Sequence, residues 1–219
     1  MHFTVESAMR QLHGMLERVL KARAQEALET RQRIVEAAFE TLRASGYAGT
    51  SARSIARTGG FNQALIFYHF GSVNDLLLAA LDVSSERRMT RYRQALGDID
   101  DLPRLLDAAA ALYREDAECG HTTVLAELFA ASLAVPALAA ELTARMEPWI
   151  LFTEELMRGF LHRLSVGGAV NLRVAAQATL ALYLGIDLLV HADGDRSRVD
   201  SMLEEARRLT AAFPFVEAS

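Results

Sequence analysis

The chain has 219 residues, 51% of them apolar, and a formal net charge of −5. That length supports one large or two small domains with a full core, so neither a metal nor a disulfide is needed to hold the fold together. A lone cysteine, Cys119, excludes a disulfide framework and makes the cell interior the expected location. The charge is unevenly spread. Residues 31–71 carry Arg31, Arg33, Arg43, Arg53 and Arg57 against Glu36 and Glu40, a local net of +3, whereas residues 72–219 sum to −8. A small basic head on an acidic body fits phosphate contact through one region only.

In chain order, Met9, Leu12, Leu16, Val19 and Leu20 recur at helical spacing and predict a helix over about residues 6–29, an N-terminal extension with little packing. Its acids Glu6, Glu17, Glu26 and Glu29, mixed with Arg10, Arg18, Lys21 and Arg23, argue against a secretory leader or transit peptide. Lys21 and Arg23 are expected on the solvent surface. A second helix is expected over 31–45, with Val35, Ala38, Phe39 and Leu42 as its apolar stripe, Gly46 as its C-cap and Tyr47 in the core. Thr50 or Ser51 caps the next helix, whose free N–H groups suit a DNA phosphate.

Residues 50–70 read as two short helices joined by a tight turn. Ile55 and Ala56 lie on the inner face of the first and Ile66 on that of the second. Gly60 sits at the reversal, where a side chain is expected to clash. Asn62 is placed to cap the second helix through its side-chain oxygen. These offsets make a helix-turn-helix, and its second helix offers Gln63, Ala64, Leu65 and Tyr68 to a major groove.

Ser72 and Asp75 form an S-x-x-D cap for a helix carrying Leu76, Leu77, Ala80, Leu81 and Val83. A polar segment with Arg87, Arg88, Arg91 and Arg93 follows, then a break over 97–103. Helices are predicted over 103–118, 121–134, 136–163, 172–191 and about 197–212, with Pro148 kinking or splitting the long one. No alternating strand pattern or repeat occurs, so the fold class is all-α. Residues 170–192 are apolar nearly all round, but Arg173, Gln177 and Asp187 interrupt them, which predicts a buried helix and no membrane span. The final helix is amphipathic through Val199, Met202, Leu203, Ala206 and Phe213. Two such helices from each of two subunits are expected to build a four-helix dimer interface.

The run G-F-N-Q-A-L-I-F-Y-H-F-G-S-V-N-D-L-L at residues 60–77, with R-I-V-E-A-A-F-E-T-L-R-A-S-G-Y-A-G-T-S-A-R-S-I-A before it, strongly resembles the DNA-binding domain of TetR-family transcriptional regulators. The close match covers about residues 31–81; the rest matches only in helix order and length. The resemblance implies an N-terminal extension (1–30), a three-helix helix-turn-helix domain (31–77) and an α-helical ligand-binding and dimerisation domain (78–219). It implies a homodimer on a palindromic double-stranded operator, dimerising through 172–191 and 197–212, and acting as a ligand-released repressor in a bacterial cytoplasm, on the nucleoid when bound. It implies no cofactor. Carried over position by position, the DNA contacts are Thr50, Ser51, Arg53, Asn62, Gln63, Ala64, Leu65, Phe67, Tyr68 and His69. Gln63 suits adenine and Leu65 a thymine methyl. Two departures from the family pattern remove phosphate contacts: Phe67 stands where Tyr is usual and Val73 where Lys is common. Arg31, Arg33 and Arg57 are placed to compensate.

For the body, a pocket for a small apolar organic ligand is expected among Tyr92, Tyr113, Leu125, Leu128, Phe129, Met146, Trp149, Phe152, Thr153, Met157 and Phe160, with His121, Glu127, Arg145 and His162 as polar anchors. Trp149 beside Pro148 leads the set. The competing role for each is ordinary core packing. Asp193, Asp195, Ser197 and Glu204 fall on calcium-loop spacing, but Arg198 occupies the glycine position, so the acids are expected to cap a helix instead. No metal site is expected, Cys119 is read as buried or idle, and no catalytic motif points to an enzyme. The alternative to a regulator is an all-α small-molecule-binding protein or enzyme with a vestigial DNA-binding head.

Overall fold

The structure, a computed structural model, describes residues 5–97, 99, 101–163, 171–195 and 197–212. Among these residues there are nine helices and no strand. They are α1 (Val5–Gly49), α2 (Ala52–Gly59), α3 (Ala64–Phe70), α4 (Val73–Leu96), α5 (Leu102–Glu118), α6 (His121–Ser132), α7 (Pro136–Arg163), α8 (Leu172–Asp193) and α9 (Ser197–Ala212).

Several boundaries differ from expectation. The two N-terminal helices are one continuous α1, since nothing between residues 29 and 31 breaks helical geometry. The extension's Met15, Leu16, Val19, Leu20 and Leu28 remain exposed, while Met9 and Leu12 lie outside the described side chains. Second, α7 keeps Pro148 inside one helix, which removes the split from the two expected outcomes. Third, α6 ends at Ser132, two residues early, and α8 continues to Asp193.

Four head helices share one core. Ile34, Val35, Ala38 and Leu42 of α1 meet Ile55 of α2, Ile66 of α3, and Leu76, Leu77, Ala80 and Leu81 of α4. Thr41 ties α1 to α2, donating to the Ala37 carbonyl at 2.7 Å and lying 3.0 Å from the Thr58 hydroxyl. The same core continues into the body through Val124, Leu125 and Leu128 of α6 and Leu138 and Leu142 of α7. A second cluster, Met89, Leu96, Leu112, Trp149 and Phe152, surrounds the far end of α4. This one helix therefore belongs to both ends of the molecule.

The turn between α2 and α3 corrects the role given to Gly60. Gly60 has φ 66, so its need is conformational, and a Cβ there would meet nothing within 4 Å. The close approach is at Gly59, where a Cβ would lie 2.2 Å from the Phe61 ring and 2.8 Å from Ala37 Cβ. Gly59→Ala is expected to destabilise by about 2–3 kcal/mol through overpacking. Thermal melting checks this; an unchanged melting temperature would show that Phe61 swings clear at no cost.

Helix α8 is long and apolar enough to cross a membrane by length and composition alone, yet little of it is buried within one chain. Val174, Leu182, Leu188 and Leu189 are exposed, as are Met202 and Leu209 on α9. Phe213 lies outside the described residues.

Candidate nucleic-acid interface and ligand cavity

The start of α2 is built by Ser51. Its hydroxyl accepts from the Ser54 N–H at 3.2 Å while Ser54 Oγ accepts from the Ser51 N–H at 2.8 Å, a reciprocal capping box. Thr50 is not the cap; its hydroxyl donates to the Gly46 carbonyl at 2.7 Å. Asn62 Oδ1 accepts from the Ala64 N–H at 2.9 Å, fixing the entry to α3. Ser72 repeats the device at α4, accepting from the Asp75 N–H and bonding the Asp75 carboxylate at 2.6 Å.

These caps aim one face of α3 outward. Asn62, Gln63 and Ala64 are exposed, Tyr68 is 82% exposed and Phe67 51%. Arg53 and Arg57 are exposed on α2 beside it. His69 is half-buried and stacks edge-on against Tyr68 at 4.9 Å. Leu65 departs from its expected role: it is half-buried against the head core, because α3 turns Leu65, Ile66 and Phe70 inward. Gln63 and Ala64 are thus the exposed residues at the start of α3, with Tyr68 beside them. Val73 likewise packs on the core. Arg31 stacks over the Phe70 ring at 4.8 Å, holding a cation at the foot of α3.

At the other end of α4 lies a cavity of about 690 Å3. Tyr92, Tyr113, Leu125, Met146, Trp149, Phe152 and Thr153 line it, as do His121, Arg145 and Pro148. Phe129 and Met157 do not. Phe129 packs against the head-side core, and Met157 is half-buried beyond the lining that Thr153 and Leu156 provide. Leu128 is wholly core, Phe160 is outside the lining, and the His162 side chain lies outside the described residues. Glu127 is no anchor either; it faces the head.

The cavity is organised by one arginine of the polar segment. Arg88 is 6% exposed. Its Nε donates to Asp116 Oδ2 at 2.7 Å, with Nη2 at 2.5 Å from the same oxygen. Nη2 also donates to the Tyr183 hydroxyl at 3.0 Å, and Nη1 meets His121 Nε2 at 2.5 Å. An arginine only donates, so His121 Nε2 must accept; Nδ1 then carries the proton and donates to Ser84 Oγ at 2.7 Å. Burial, then the charges of Arg88 and Arg91, hold the His121 pKa well below the usual histidine value, which keeps it neutral. Burial also opposes charge on Arg88, but Tyr183, Asp116 and Tyr92 more than offset it, and its pKa stays above the ordinary arginine value. Asp116, fully buried, takes Arg91 at 2.6 Å and the Tyr92 hydroxyl at 2.7 Å besides. The guanidinium lies 4.7 Å from the Trp149 ring centre, whose indole N–H donates to Ser85 Oγ at 2.7 Å. Arg145 is committed to Asp82 at 2.7 Å and Glu141 at 2.6 Å. The result is an apolar chamber with a fixed polar wall. The signal for Arg88 was present: it falls seven residues after Leu81, in phase with Met89, Tyr92 and Leu96.

Head and body also meet at Glu127 of α6. Its carboxylate accepts from the Tyr47 N–H at 2.6 Å, just past Gly46, where α1 kinks at φ 66, and lies 2.9 Å from His191 Nε2 on α8. Tyr47 itself donates to Asn74 Oδ1 at 3.0 Å. The acids at the α8–α9 junction cap as expected: Asp195 accepts from the Ser197 N–H at 3.0 Å. Cys119 is exposed rather than buried, with its thiol 2.8 Å from the Glu115 carbonyl.

Residues 34–80 match the model for bacterial regulatory proteins of the tetR family. The chain is 23% identical over 184 residues to the HTH-type transcriptional regulator UidR of Escherichia coli K12, covering 84% of this chain and 92% of the relative. Among solved structures, a TetR-family transcriptional regulator from Rhodococcus sp. superposes with a TM-score of 0.68 at 20% identity, covering 83% of this chain and 98% of that one. The multidrug binding protein EbrR complexed with imidazole does so with 0.58 at 27% identity, covering 83% and 89%.

Proposed function

We propose, from a chain that belongs to the TetR family and is a DNA-binding transcriptional regulator, that it works as a ligand-released repressor in the cytoplasm. The observation that carries this reading is α4, whose first turns sit in the head core and whose last turns line the 690 Å3 cavity. A guest in that cavity touches the helix that holds the DNA-reading head.

The proposed DNA contacts are Gln63 and Ala64 at base edges. Thr50, Ser51, Arg53, Asn62, Phe67, Tyr68 and His69 bear on the backbone or the groove wall, supported by Arg31 and Arg57. Two heads reading a palindrome require a dimer. Its interface is proposed on the exposed apolar side chains of α8 and α9, which a second copy would cover more readily than lipid would, since α8 also carries Arg173 and the buried Asp187. The ligand is proposed to be a small organic molecule with an apolar body, resting on Leu125, Met146, Trp149 and Phe152 against the wall of Tyr92, Tyr113 and Arg88. It shifts the heads only by its differential affinity for the two arrangements.

Gel-shift binding to the DNA upstream of its own gene, across a salt series, tests the reading. Sequence-selective binding that weakens steeply with salt is expected. Weak, unselective binding would favour a small-molecule carrier or enzyme with a vestigial head.

A further inference from the structure

A second cavity of about 450 Å3 lies between α5, α6, α8 and α9. Its occupant is suggested by Asp187. This residue is 3% exposed and lines the cavity; the Tyr113 hydroxyl bears on its carboxylate, but no ion pair or backbone N–H holds either oxygen. A buried carboxylate left so is costly. Burial raises its pKa to about 6, with the Tyr113 hydroxyl and the Arg88 charge pulling it down and Asp116 pushing it up. At neutral pH it is therefore mostly an anion without a cation in contact. The other charges on the wall do not help it. Arg114 is bound to Asp200 at 2.9 Å, His191 to Glu127 at 2.9 Å, and Glu118 adds a further acid. Among the described residues no three ligating side chains cluster for a metal ion.

We infer that the second cavity binds a small organic cation, an ammonium whose charge meets Asp187 and whose apolar body rests on Ala117, Val190 and Val199. The site stands apart from the exposed face of α8, because Asp187 points inward while Leu182 and Leu189 point out. Its wall includes His191, the partner of the carboxylate that holds the end of α1.

The test needs neither DNA nor the natural ligand, so it can fail independently of the repressor reading. Calorimetry on the full chain compares benzylamine with benzyl alcohol, matched in shape but differing in charge. At about pH 7.5, where Asp187 is ionised, the amine is expected to bind at least about tenfold more tightly than the alcohol. Asp187→Asn should remove that preference while melting no lower than the parent, because it deletes a buried charge. Ala117→Phe, which fills this cavity, should abolish amine binding, whereas Leu156→Phe in the first cavity should leave it intact. Near pH 6, binding should release a proton from Asp187, read as a heat that depends on buffer ionisation. Equal binding of amine and alcohol, retained preference in Asp187→Asn, loss on Leu156→Phe instead of Ala117→Phe, or no amine binding up to about 10 mM would each overturn the inference.

Discussion

Asp116→Ala is expected to destabilise the protein by about 3–5 kcal/mol, enough to unfold much of the body at physiological temperature. Asp116 is fully buried and is the only carboxylate bonded to Arg88 among the described residues. Its oxygens also hold Arg91 and the Tyr92 hydroxyl, so three side chains from α4 lose their acceptor together. Arg88 has nowhere to go. His121 beside it is kept neutral, Tyr183 offers only a hydroxyl, and the aromatic faces of Trp149 and Tyr92 supply a weaker attraction than a carboxylate. An uncompensated buried cation is the dominant cost. The double variant Asp116→Leu with Arg88→Met should therefore be milder than Asp116→Ala alone, because it removes both charges. Chemical denaturation of the three proteins decides the matter. A loss below about 1 kcal/mol for Asp116→Ala would mean that water enters the cavity and solvates Arg88.

Changing Gln63 and Tyr68 together to alanine is expected to weaken operator binding by roughly a hundredfold or more, since each good base-edge pairing contributes about 1–3 kcal/mol and a groove-flanking phenol adds to it. The melting temperature should hardly move. Gln63 is exposed and Tyr68 is 82% exposed, and surface changes of this kind alter stability by no more than about 0.5 kcal/mol. Gel-shift titration paired with thermal melting separates the two effects. Full affinity in the double variant would move base reading to Arg53 and Arg57 on α2. A collapse in stability would instead make the α3 side chains structural.

The head was legible because its logic is local. Caps at Ser51, Asn62 and Ser72, the turn at Gly60 and the inward positions Ile55 and Ile66 are all set within a few residues of one another. Even there, the offsets could not distinguish Gly59 from Gly60: the clash at Gly59 comes from Phe61 and from Ala37 on α1, more than twenty residues away in sequence. Most of the aromatic wall of the cavity was legible from helical spacing, although Phe129 and Met157 fall outside the lining. Its polar wall was not. Arg88 sits in a run with Arg87, Arg91 and Arg93 that reads as a solvated face, and its meaning depends on Asp116, His121 and Tyr183 from three other helices. Such pairing is a property of tertiary packing, and single-sequence periodicity marks only the face on which it occurs.

The carboxylate of Glu127 has a mechanical consequence. The head is joined to the body by the unbroken backbone of α4, by the core that α1 shares with α6 and α7, and by the Tyr47 N–H held on Glu127. A head held at several places moves with the body and does not swing freely on it. His191 ties the Glu127 contact to α8, the helix proposed to face the partner subunit. In a symmetric pair a change in packing at α8 would then reach both heads alike.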